Sequence, residues 1–375
     1  MKTVKGTIQG KFKSIIGIAA KKDYPFYNRS DKIYVSDNLG LNSLGYLACI
    51  TGKAKRSIFL PPIIENVDIT LFDDHDIIQI LENGEINFLW EINSQQNVFL
   101  LTESCNCNCL MCPQPVKPHN PQLLDDANRI LDLLKDKKIE TICITGGEPT
   151  LLKDKFINFL LRCIEEHPES YIDVLTNGKL FSDEEFTKEI GSIVNKKILF
   201  CVSLHSDIAE IHDKIVNSKD SYRMTQEGIY NLAKYGIQIE IRHVINKLNY
   251  KRLVHFADHL YNYFPFCSHY ALMAMEIYGS AQENSNEIVV NPPEYINELA
   301  DAVLFMNRRE LPVSVYNVPL CMCDTRILSY CKQSISKWKN IFVAECEKCC
   351  QKDLCCGFFA TSSSLPINHI KPFLE

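Results

Sequence analysis

The stretch that decides the fold reads Val98-Phe-Leu-Leu-Thr-Glu-Ser-Cys105-Asn-Cys-Asn-Cys109-Leu-Met-Cys112. Its apolar start, from Val98 to Thr102, predicts a buried strand. Cys105, Cys109 and Cys112 then follow in a C-x3-C-x2-C pattern. A 4Fe-4S cluster takes four thiolates, so three cysteines leave one iron without a protein ligand. Catalytic metal sites keep such an open position for a substrate.

Two other interpretations of these cysteines stay open on the residues alone. Cys109 and Cys112 match half of a zinc knuckle, and Cys107 offers a second register, C-x-C-x4-C. The position after a strand argues against zinc, because parallel-barrel enzymes place their chemistry at strand ends. We therefore favour an iron-sulfur cluster over a zinc ion.

A second motif, Gly146-Gly147-Glu148-Pro149, comes directly after another strand-like run. With the cysteine loop, it resembles the signature of radical S-adenosylmethionine (SAM) enzymes, and the resemblance extends from about Asn97 to Glu276. It implies that SAM completes the open iron and is cleaved reductively to a 5′-deoxyadenosyl radical, which abstracts a hydrogen atom from a substrate. It also implies that Cys105, Cys109 and Cys112 are the cluster ligands and that Cys107 is a spare thiol. The family usually has an aromatic residue where this chain has Met111, so no adenine contact is assigned.

The resemblance also implies which residues bind SAM. They are Gly146, Gly147 and Glu148 near its amino group, Asn177 at the next strand end, Ser203 near its ribose and Arg242 near its carboxylate. On the residues alone, Asn177 fits a simple turn and Arg242 fits an ion pair inside a barrel. His205 is a candidate general base, but a lone histidine at a strand end is more often a hydrogen-bonded scaffold residue. No catalytic residue is assigned.

The remaining patterns predict an α/β fold in three parts. Residues 1–95 contain short β-branched runs and a hairpin turn at Asn83-Gly84, which predict a small β-rich domain. Residues 96–280 alternate strand-like and helix-like runs of roughly 30 residues per unit, which predicts six βα units. An eight-fold barrel needs roughly 250 residues, so we expect a partial (β/α)6 TIM-like barrel, as the family resemblance also implies. Residues 281–375 form a cysteine-rich region. Its one predicted helix runs from Pro293 to Asn307.

The composition of the sequence limits the classes of partner that we expect. The chain has 375 residues, 46% hydrophobic residues and a net charge of −6, which permits a large core but gives no basic face for nucleic acid. No apolar stretch reaches membrane-spanning length, and the first residues lack the apolar core of a secretory signal. We expect a cytoplasmic protein with no nucleic-acid partner and no membrane partner.

Eight of the 17 cysteines lie between residues 321 and 356. Cys346, Cys349 and Cys355 form a C-x2-C-x5-C pattern, and Cys321 adds a fourth thiolate. Four thiolates saturate either a 4Fe-4S cluster or a zinc ion. Radical SAM enzymes that modify peptides often carry C-terminal auxiliary clusters of this spacing, so the resemblance favours iron-sulfur. The substitutes for these ligands are Cys323, Cys331, Cys350 and Cys356.

A narrower resemblance covers nearly the whole chain. The segments Leu101–Pro115, Ala271–Glu276 and Gln333–Lys339 resemble the HxsC-type maturases of the His-Xaa-Ser peptide system. This implies a ribosomally made precursor peptide as substrate, an electron donor such as flavodoxin or ferredoxin, and room for a partner maturase. The alternatives are a radical SAM enzyme of a small metabolite and a non-enzymatic zinc scaffold. The bond made on the substrate is not predicted.

Overall fold

The computed structural model describes residues 2–8, 12–53, 61–362 and 370–374. The chain divides into two compact units. The first comprises residues 1–100, 121–143 and 162–170, and the second comprises residues 101–120, 144–161 and 171–375. The three-part division made from the sequence stays a prediction.

The strands of the described residues are β1 (Thr3–Lys5), β2 (Thr7–Ile8), β3 (Ile15–Ala20), β4 (Lys32–Val35), β5 (Ala48–Ile50), β6 (Ile63–Glu65), β7 (Ile77–Ile80), β8 (Glu85–Trp90), β9 (Val98–Leu100), β10 (Thr141–Thr145), β11 (Tyr171–Thr176), β12 (Ile198–Ser203), β13 (Gln238–Ile245), β14 (His269–Ala274), β15 (Val313–Tyr316), β16 (Cys331–Lys332), β17 (Asn340–Ile341) and β18 (Phe358–Phe359). The α-helices are α1 (Gln122–Leu134), α2 (Asp154–Glu166), α3 (Glu184–Ile193), α4 (Ala209–Val216), α5 (Ser221–Lys234), α6 (Leu253–Tyr263), α7 (Ser280–Glu283), α8 (Ser285–Ile288) and α9 (Pro292–Asn307).

The first sheet is mixed and closes on itself. Its strand order is β1-β8-β7-β3-β4-β5-β6-β2, and only Gly6 separates its two end strands, β1 and β2, along the chain. One short bent segment therefore pairs with β8 through its first half and with β6 through its second half. The predicted hairpin at Asn83-Gly84 joins the antiparallel strands β7 and β8.

A single apolar cluster fills the inside of this first sheet. Alternate residues of its strands, including Ile33, Ile50, Ile64 and Phe88, are almost fully buried in it. Burying a side chain of this size stabilises a fold by roughly 1.5–3 kcal/mol. The β-branched runs noted in the sequence thus supply the core of this sheet.

The second sheet has the order β16-β15-β14-β13-β12-β11-β10-β9, so its strands follow one another as they do along the chain. Every pair from β11 to β16 is parallel. Helices occupy the connections as far as β15, as a partial TIM-like barrel requires.

The predicted α/β fold is confirmed. The strand-like runs of the sequence, residues 98–102, 141–145, 172–176, 197–203, 238–244 and 269–276, are all strands here, within two residues at each end. The helix expected from Pro293 begins one residue earlier, at Pro292. Two further strands, β15 and β16, extend the sheet beyond the six units expected.

The two faces of this second sheet differ in polarity from β11 to β15. Side chains of one face are apolar and buried, such as Val174, Phe200, Ile241 and Val315. The residues between them along each strand point to the opposite face, since side chains alternate in a strand. That opposite face carries Asp173 on β11, Ser203 on β12, Glu240 and Arg242 on β13, His269 on β14, and Ser314 and Tyr316 on β15. We call it the polar face.

Among the described residues, no helix is both long enough and apolar enough to cross a bilayer.

Candidate functional site

The cysteine loop and the Gly-Gly-Glu motif run side by side. The backbone amide of Gly147 donates to the carbonyl oxygen of Thr102 over 2.7 Å, and that of Glu148 donates to Ser104 over 2.9 Å. Residues 101–104, which follow β9, thus remain hydrogen-bonded to the segment after β10 up to the start of the cysteine loop. The two motifs, about forty residues apart in sequence, form one structure at the ends of their strands.

The two glycines are required by this close approach. A Cβ atom on Gly147 would lie 2.4 Å from the carbonyl oxygen of Ser104, and one on Gly146 would lie 2.8 Å from that of Thr102. Both obstacles are backbone atoms, which a rotamer change cannot move. Any larger residue would push the cysteine-bearing segment away from the motif.

The four cysteines of the loop differ in exposure. Cys107 is buried, and its sulfur lies 3.9 Å from the Ser221 hydroxyl, whereas Cys105, Cys109 and Cys112 are each partly exposed. The three thiols of the C-x3-C-x2-C pattern are therefore the accessible ones. This suits their predicted role, because cluster ligands must reach an external group.

The far side of the loop is also held in place. The Ser280 amide donates to the carbonyl oxygen of Cys112 over 2.9 Å, and Gly279 has φ +60° with Cys112 and Pro113 too close for a Cβ. Met111, the departure from the family pattern, is buried in an apolar cluster with Ile215. The Met111 side chain therefore packs in the apolar core beneath the cysteine loop.

Glu148 is fully buried and accepts hydrogen bonds on both carboxylate oxygens. One oxygen accepts from the Thr150 hydroxyl at 2.6 Å and from the Thr176 hydroxyl at 2.8 Å, and the other accepts from the Asn177 amide at 2.6 Å. Burial raises the pKa of Glu148, while these hydrogen bonds oppose the rise. The carboxylate thus ties the Gly-Gly-Glu turn to the end of β11. Sequence reasoning missed this structural role of Glu148, because its partners, apart from Thr150, are distant along the chain.

Asn177 connects that strand end to the cysteine loop. Its side-chain nitrogen donates to the Asn106 side-chain oxygen over 2.7 Å and lies 3.8 Å from the Cys105 sulfur and 3.7 Å from the Cys107 sulfur. Lys179, two residues later, is buried and bonds the Ser218 hydroxyl at 2.7 Å and the Asn106 carbonyl oxygen at 3.3 Å. Asn177 therefore lies beside the predicted cluster ligands, and Lys179 is a supporting residue that the sequence did not single out.

Ser203 and Arg242 are direct register partners on β12 and β13. The Arg242 guanidinium bonds Glu240 at 2.5 Å, which is the ion pair that the sequence left open as an alternative. His269 bonds the other oxygen of Glu240 at 2.6 Å. Burial opposes ionisation of Glu240, but His269 and Arg242 outweigh it and lower the pKa of Glu240 to about 2. Sequence reasoning missed Glu240 and His269, although both lie on the polar face of the sheet that also carries Ser203 and Arg242.

His205 is held in the interior. Its Nδ1 accepts from the Val244 amide at 3.3 Å, and its backbone amide donates to His212 at 3.1 Å. Burial, followed by the neighbouring imidazoles, lowers the pKa of His205 well below its usual value. This arrangement fits the scaffold interpretation of His205.

The four cysteines predicted as auxiliary ligands line one small pocket. Cys321, Cys346, Cys349 and Cys355 surround it with Leu320, Phe342, Lys352, Phe358, Ile370 and Pro372. A hydrogen bond from Cys356 lowers the pKa of Cys355 to about 6, which favours the thiolate that metal ligation requires. Of the substitutes, Cys350 is exposed, and Cys323 and Cys331 pair with each other at 3.3 Å between sulfurs.

In the described part of the chain, no group of three or more His, Cys, Asp or Glu side chains is arranged to hold a single metal ion. A zinc ion draws its sulfur ligands to about 2.3 Å, so they must converge on one point. A 4Fe-4S cluster takes one thiolate on each iron, so its ligand sulfurs stand further apart. Thiolates ligate both kinds of site, so the metal at each set of cysteines stays a prediction.

Two segments that carry the narrower resemblance meet in the structure. Lys339 pairs with the Glu276 carboxylate at 2.7 Å, and the Thr361 hydroxyl donates to the other oxygen of Glu276 at 3.0 Å. The end of the Ala271–Glu276 segment is thereby tied to the region that carries the second set of cysteines.

The comparisons with known proteins agree with this geometry. The family model described as the Radical SAM superfamily matches residues 99–260. The antilisterial bacteriocin subtilosin biosynthesis protein AlbA of Bacillus subtilis (strain 168) is 27% identical over 186 residues, which are 44% of this chain and 40% of AlbA. The Fe-coproporphyrin III synthase of Methanosarcina barkeri (strain Fusaro / DSM 804) is 28% identical over 155 residues, which are 40% of this chain and 37% of that protein. The chain therefore spans well under half the length of these curated relatives.

Among solved structures, Streptococcus suis SuiB bound to S-adenosylmethionine is similar to this chain, with a TM-score of 0.48 and 18% identity. The similarity covers 58% of this chain and 49% of SuiB.

Proposed function

We propose that this chain, whose residues 99–260 form a radical SAM superfamily domain, cleaves SAM reductively and abstracts a hydrogen atom from a ribosomally made peptide. The observation that carries the proposal is the close parallel run of the cysteine loop and the Gly-Gly-Glu motif at the strand ends. Members of this superfamily use a 4Fe-4S cluster and SAM. When bound, these two supply the electron and the radical.

Residues of this chain would bind and orient the cluster and SAM. We assign Cys105, Cys109 and Cys112 to the cluster, as the partly exposed cysteines of the loop. The residues assigned to SAM are Gly146, Gly147, Glu148, Asn177, Ser203 and Arg242. Glu148 acts by shaping the turn, because its carboxylate is buried and already bonded. Arg242 needs to share its guanidinium between Glu240 and the SAM carboxylate.

For the C-terminal pocket we propose an auxiliary 4Fe-4S cluster on Cys321, Cys346, Cys349 and Cys355, with zinc as the alternative. The support is their shared apolar pocket. We further propose that residues 1–95, 96–280 and 281–375 act as a β-rich domain, the radical domain and the auxiliary region of one cytoplasmic enzyme.

A peptide substrate of the His-Xaa-Ser type is the finer part of the proposal. It is supported by the resemblance of Ala271–Glu276 and Gln333–Lys339, by the Glu276–Lys339 contact between them, and by a relative that is a bacteriocin biosynthesis protein. The partners proposed with it are a precursor peptide, an electron donor such as flavodoxin or ferredoxin, and a partner maturase.

The decisive experiment starts from protein reconstituted with iron and sulfide without oxygen. Two clusters correspond to about eight irons per chain, and dithionite with SAM should yield 5′-deoxyadenosine. Replacing Cys105, Cys109 and Cys112 together by alanine should abolish that product, whereas Cys350→Ala, an exposed thiol outside both sites, should retain it. Cleavage that persists in the triple variant would refute the assignment. Co-expression with short peptides encoded beside the gene, followed by mass analysis, tests the substrate class.

A second candidate is a radical SAM enzyme of a small metabolite. It is favoured by the similarity to the Fe-coproporphyrin III synthase. The two candidates separate when low-molecular-mass cell extract and co-expressed peptides are compared as stimulants of 5′-deoxyadenosine formation. A third, the zinc scaffold, would become the better account if protein purified without oxygen held zinc and no iron.

A further inference from the structure

Three residues of the polar face form a connected hydrogen-bonded chain that the SAM assignment does not use. Glu240 on β13 bonds Nδ1 of His269 on β14 at 2.6 Å, and Nε2 of His269 bonds the hydroxyl of Ser314 on β15 at 3.0 Å. Glu240 and His269 are direct register partners. A carboxylate, an imidazole and a hydroxyl at these distances are the arrangement by which enzymes move protons to and from an oxygen atom.

The directions of these hydrogen bonds follow from the charge of Glu240. Its pKa is lowered to about 2, as His269 and Arg242 outweigh the effect of burial, so it is a carboxylate at neutral pH and accepts hydrogen bonds only. Nδ1 of His269 must then carry the proton. In a neutral imidazole the other nitrogen is an acceptor, so Ser314 donates its hydroxyl proton to Nε2. In this hydrogen-bonded series of side chains, Nε2 of His269 is the atom that can receive a proton.

Beyond Ser314, the hydrogen-bonded series of Glu240, His269 and Ser314 is followed by Tyr316, which is nearer to solvent. Tyr316 lies two residues after Ser314 on the same strand face and is partly exposed, whereas Ser314 is only 5% exposed. Burial and the charge of Glu240 raise the pKa of Tyr316, while Arg242 and a hydrogen bond with Ser314 lower it. The Tyr316 ring also meets the His269 ring edge-on at 87°. Tyr316 and Ser314 thus lie next to each other along the polar face.

Two other charged groups, Arg242 and Asp173, lie on the polar face. Arg242 is already paired with Glu240. Burial raises the pKa of Asp173, and the charge of Arg242 opposes that rise. The imidazolium that forms at His269 remains beside the Glu240 carboxylate, which stabilises its charge at close range.

We propose that Tyr316, Ser314, His269 and Glu240 form a proton relay that removes a proton from the substrate radical as it is oxidised to product. This rests on the proposed radical function. The substrate's X–H bond breaks and its proton goes to the Tyr316 oxygen, the Tyr316 proton goes to the Ser314 oxygen, and the Ser314 proton goes to Nε2 of His269. The relay carries no electron. The electron lost from the substrate radical goes to a one-electron acceptor of the iron-sulfur class.

The first test needs no substrate. Nitrogen NMR of the reconstituted full chain labelled in its ten histidines, with His269 identified by His269→Gln, reports which ring nitrogen carries the proton. The relay requires a neutral ring protonated at Nδ1 near pH 8, with the Nε2 signal shifted in Ser314→Ala. A ring protonated at Nε2, or at both nitrogens, would overturn it. The exposed His255 gives the reference signal of a histidine outside the relay.

The second test uses the peptide that becomes modified on co-expression. Since a positioned acid-base group contributes about 10²- to 10⁴-fold, the amount of modified peptide per 5′-deoxyadenosine should fall by about 100-fold in His269→Gln and in Ser314→Ala. The matched variant His255→Gln should keep the ratio of the unmodified protein. An unchanged ratio in His269→Gln would overturn the relay. Failure of the unmodified protein to form any 5′-deoxyadenosine would instead count against the radical function, while the NMR result would still decide the relay.

Discussion

Replacing Gly147 by alanine should separate the Gly-Gly-Glu motif from the cysteine loop. The added carbon would lie 2.4 Å from the Ser104 oxygen and 2.7 Å from its carbonyl carbon, both backbone atoms. Reaching a contact of 3.0 Å needs the two segments to move apart by at least about 0.6 Å. That movement stretches the two backbone hydrogen bonds, of 2.7 and 2.9 Å, that join them. Overpacking of this kind costs about 1–3 kcal/mol, and a weakened hydrogen bond adds about 1 kcal/mol.

The local opening free energy of this seam should therefore fall by about 2–4 kcal/mol. Since 1.4 kcal/mol is a tenfold change, deuterium exchange at the amides of Gly147 and Glu148 should accelerate by about 30- to 700-fold. The iron content after anaerobic reconstitution should fall with it. Gly40→Ala is the control, because its Cβ would meet only the flexible Asn42 side chain, at 3.3 Å. Unchanged exchange and full iron content in Gly147→Ala would refute the argument that backbone contact holds the loop.

Three further outcomes follow from buried groups. Cys346→Ser should lose about four of eight irons, while Cys350→Ser, which does not line the pocket, should keep them; equal losses in chemical iron analysis would refute the ligand set. Glu148→Gln places an amide against donors that now bond a carboxylate, so urea unfolding should show a loss of about 1–3 kcal/mol, and wild-type stability would contradict this. The pKa of Glu240 is lowered from an ordinary 4.5 to about 2, so its ionisation contributes stability that is present above pH 4.5 and lost as pH falls to about 2. The loss is about 3 kcal/mol, and an equally steep acid dependence in Glu240→Gln would show that another group is responsible.

Much of the fold was predictable because its strands carry strong local signals. Val98 to Thr102 is a run of apolar residues that ends at a polar loop, whereas Gln238 to Arg242 alternates polar and apolar residues; both patterns are local. β15 and β16 were missed for a physical reason. They have four and two residues, which is too short for a periodic pattern. They are strands because β14 offers β15 a parallel neighbour and β15 offers one to β16.

The candidate site likewise has features that the local sequence predicts and contacts that it does not predict. The spacing of Cys346, Cys349 and Cys355 is local, so sequence alone proposed that they share a site, and they line one pocket with Cys321. The partners of Glu148 and His269 are not local. Asn177 follows Glu148 by 29 residues, and Ser314 follows His269 by 45. Such contacts depend on which strands are neighbours, and no residue type announces that order.

The closed first sheet limits how its unit can hold a peptide. Many domains capture an extended peptide by letting it join a sheet as one more strand, through the unpaired backbone groups of an outermost strand. Within residues 2–8, 12–53 and 61–90, the two outermost strands are halves of one segment around Gly6, each already bonded to a neighbour. A peptide that joined this sheet as a further strand at either outermost position would therefore have to pair with one half of that short segment, which is three residues long in β1 and two in β2.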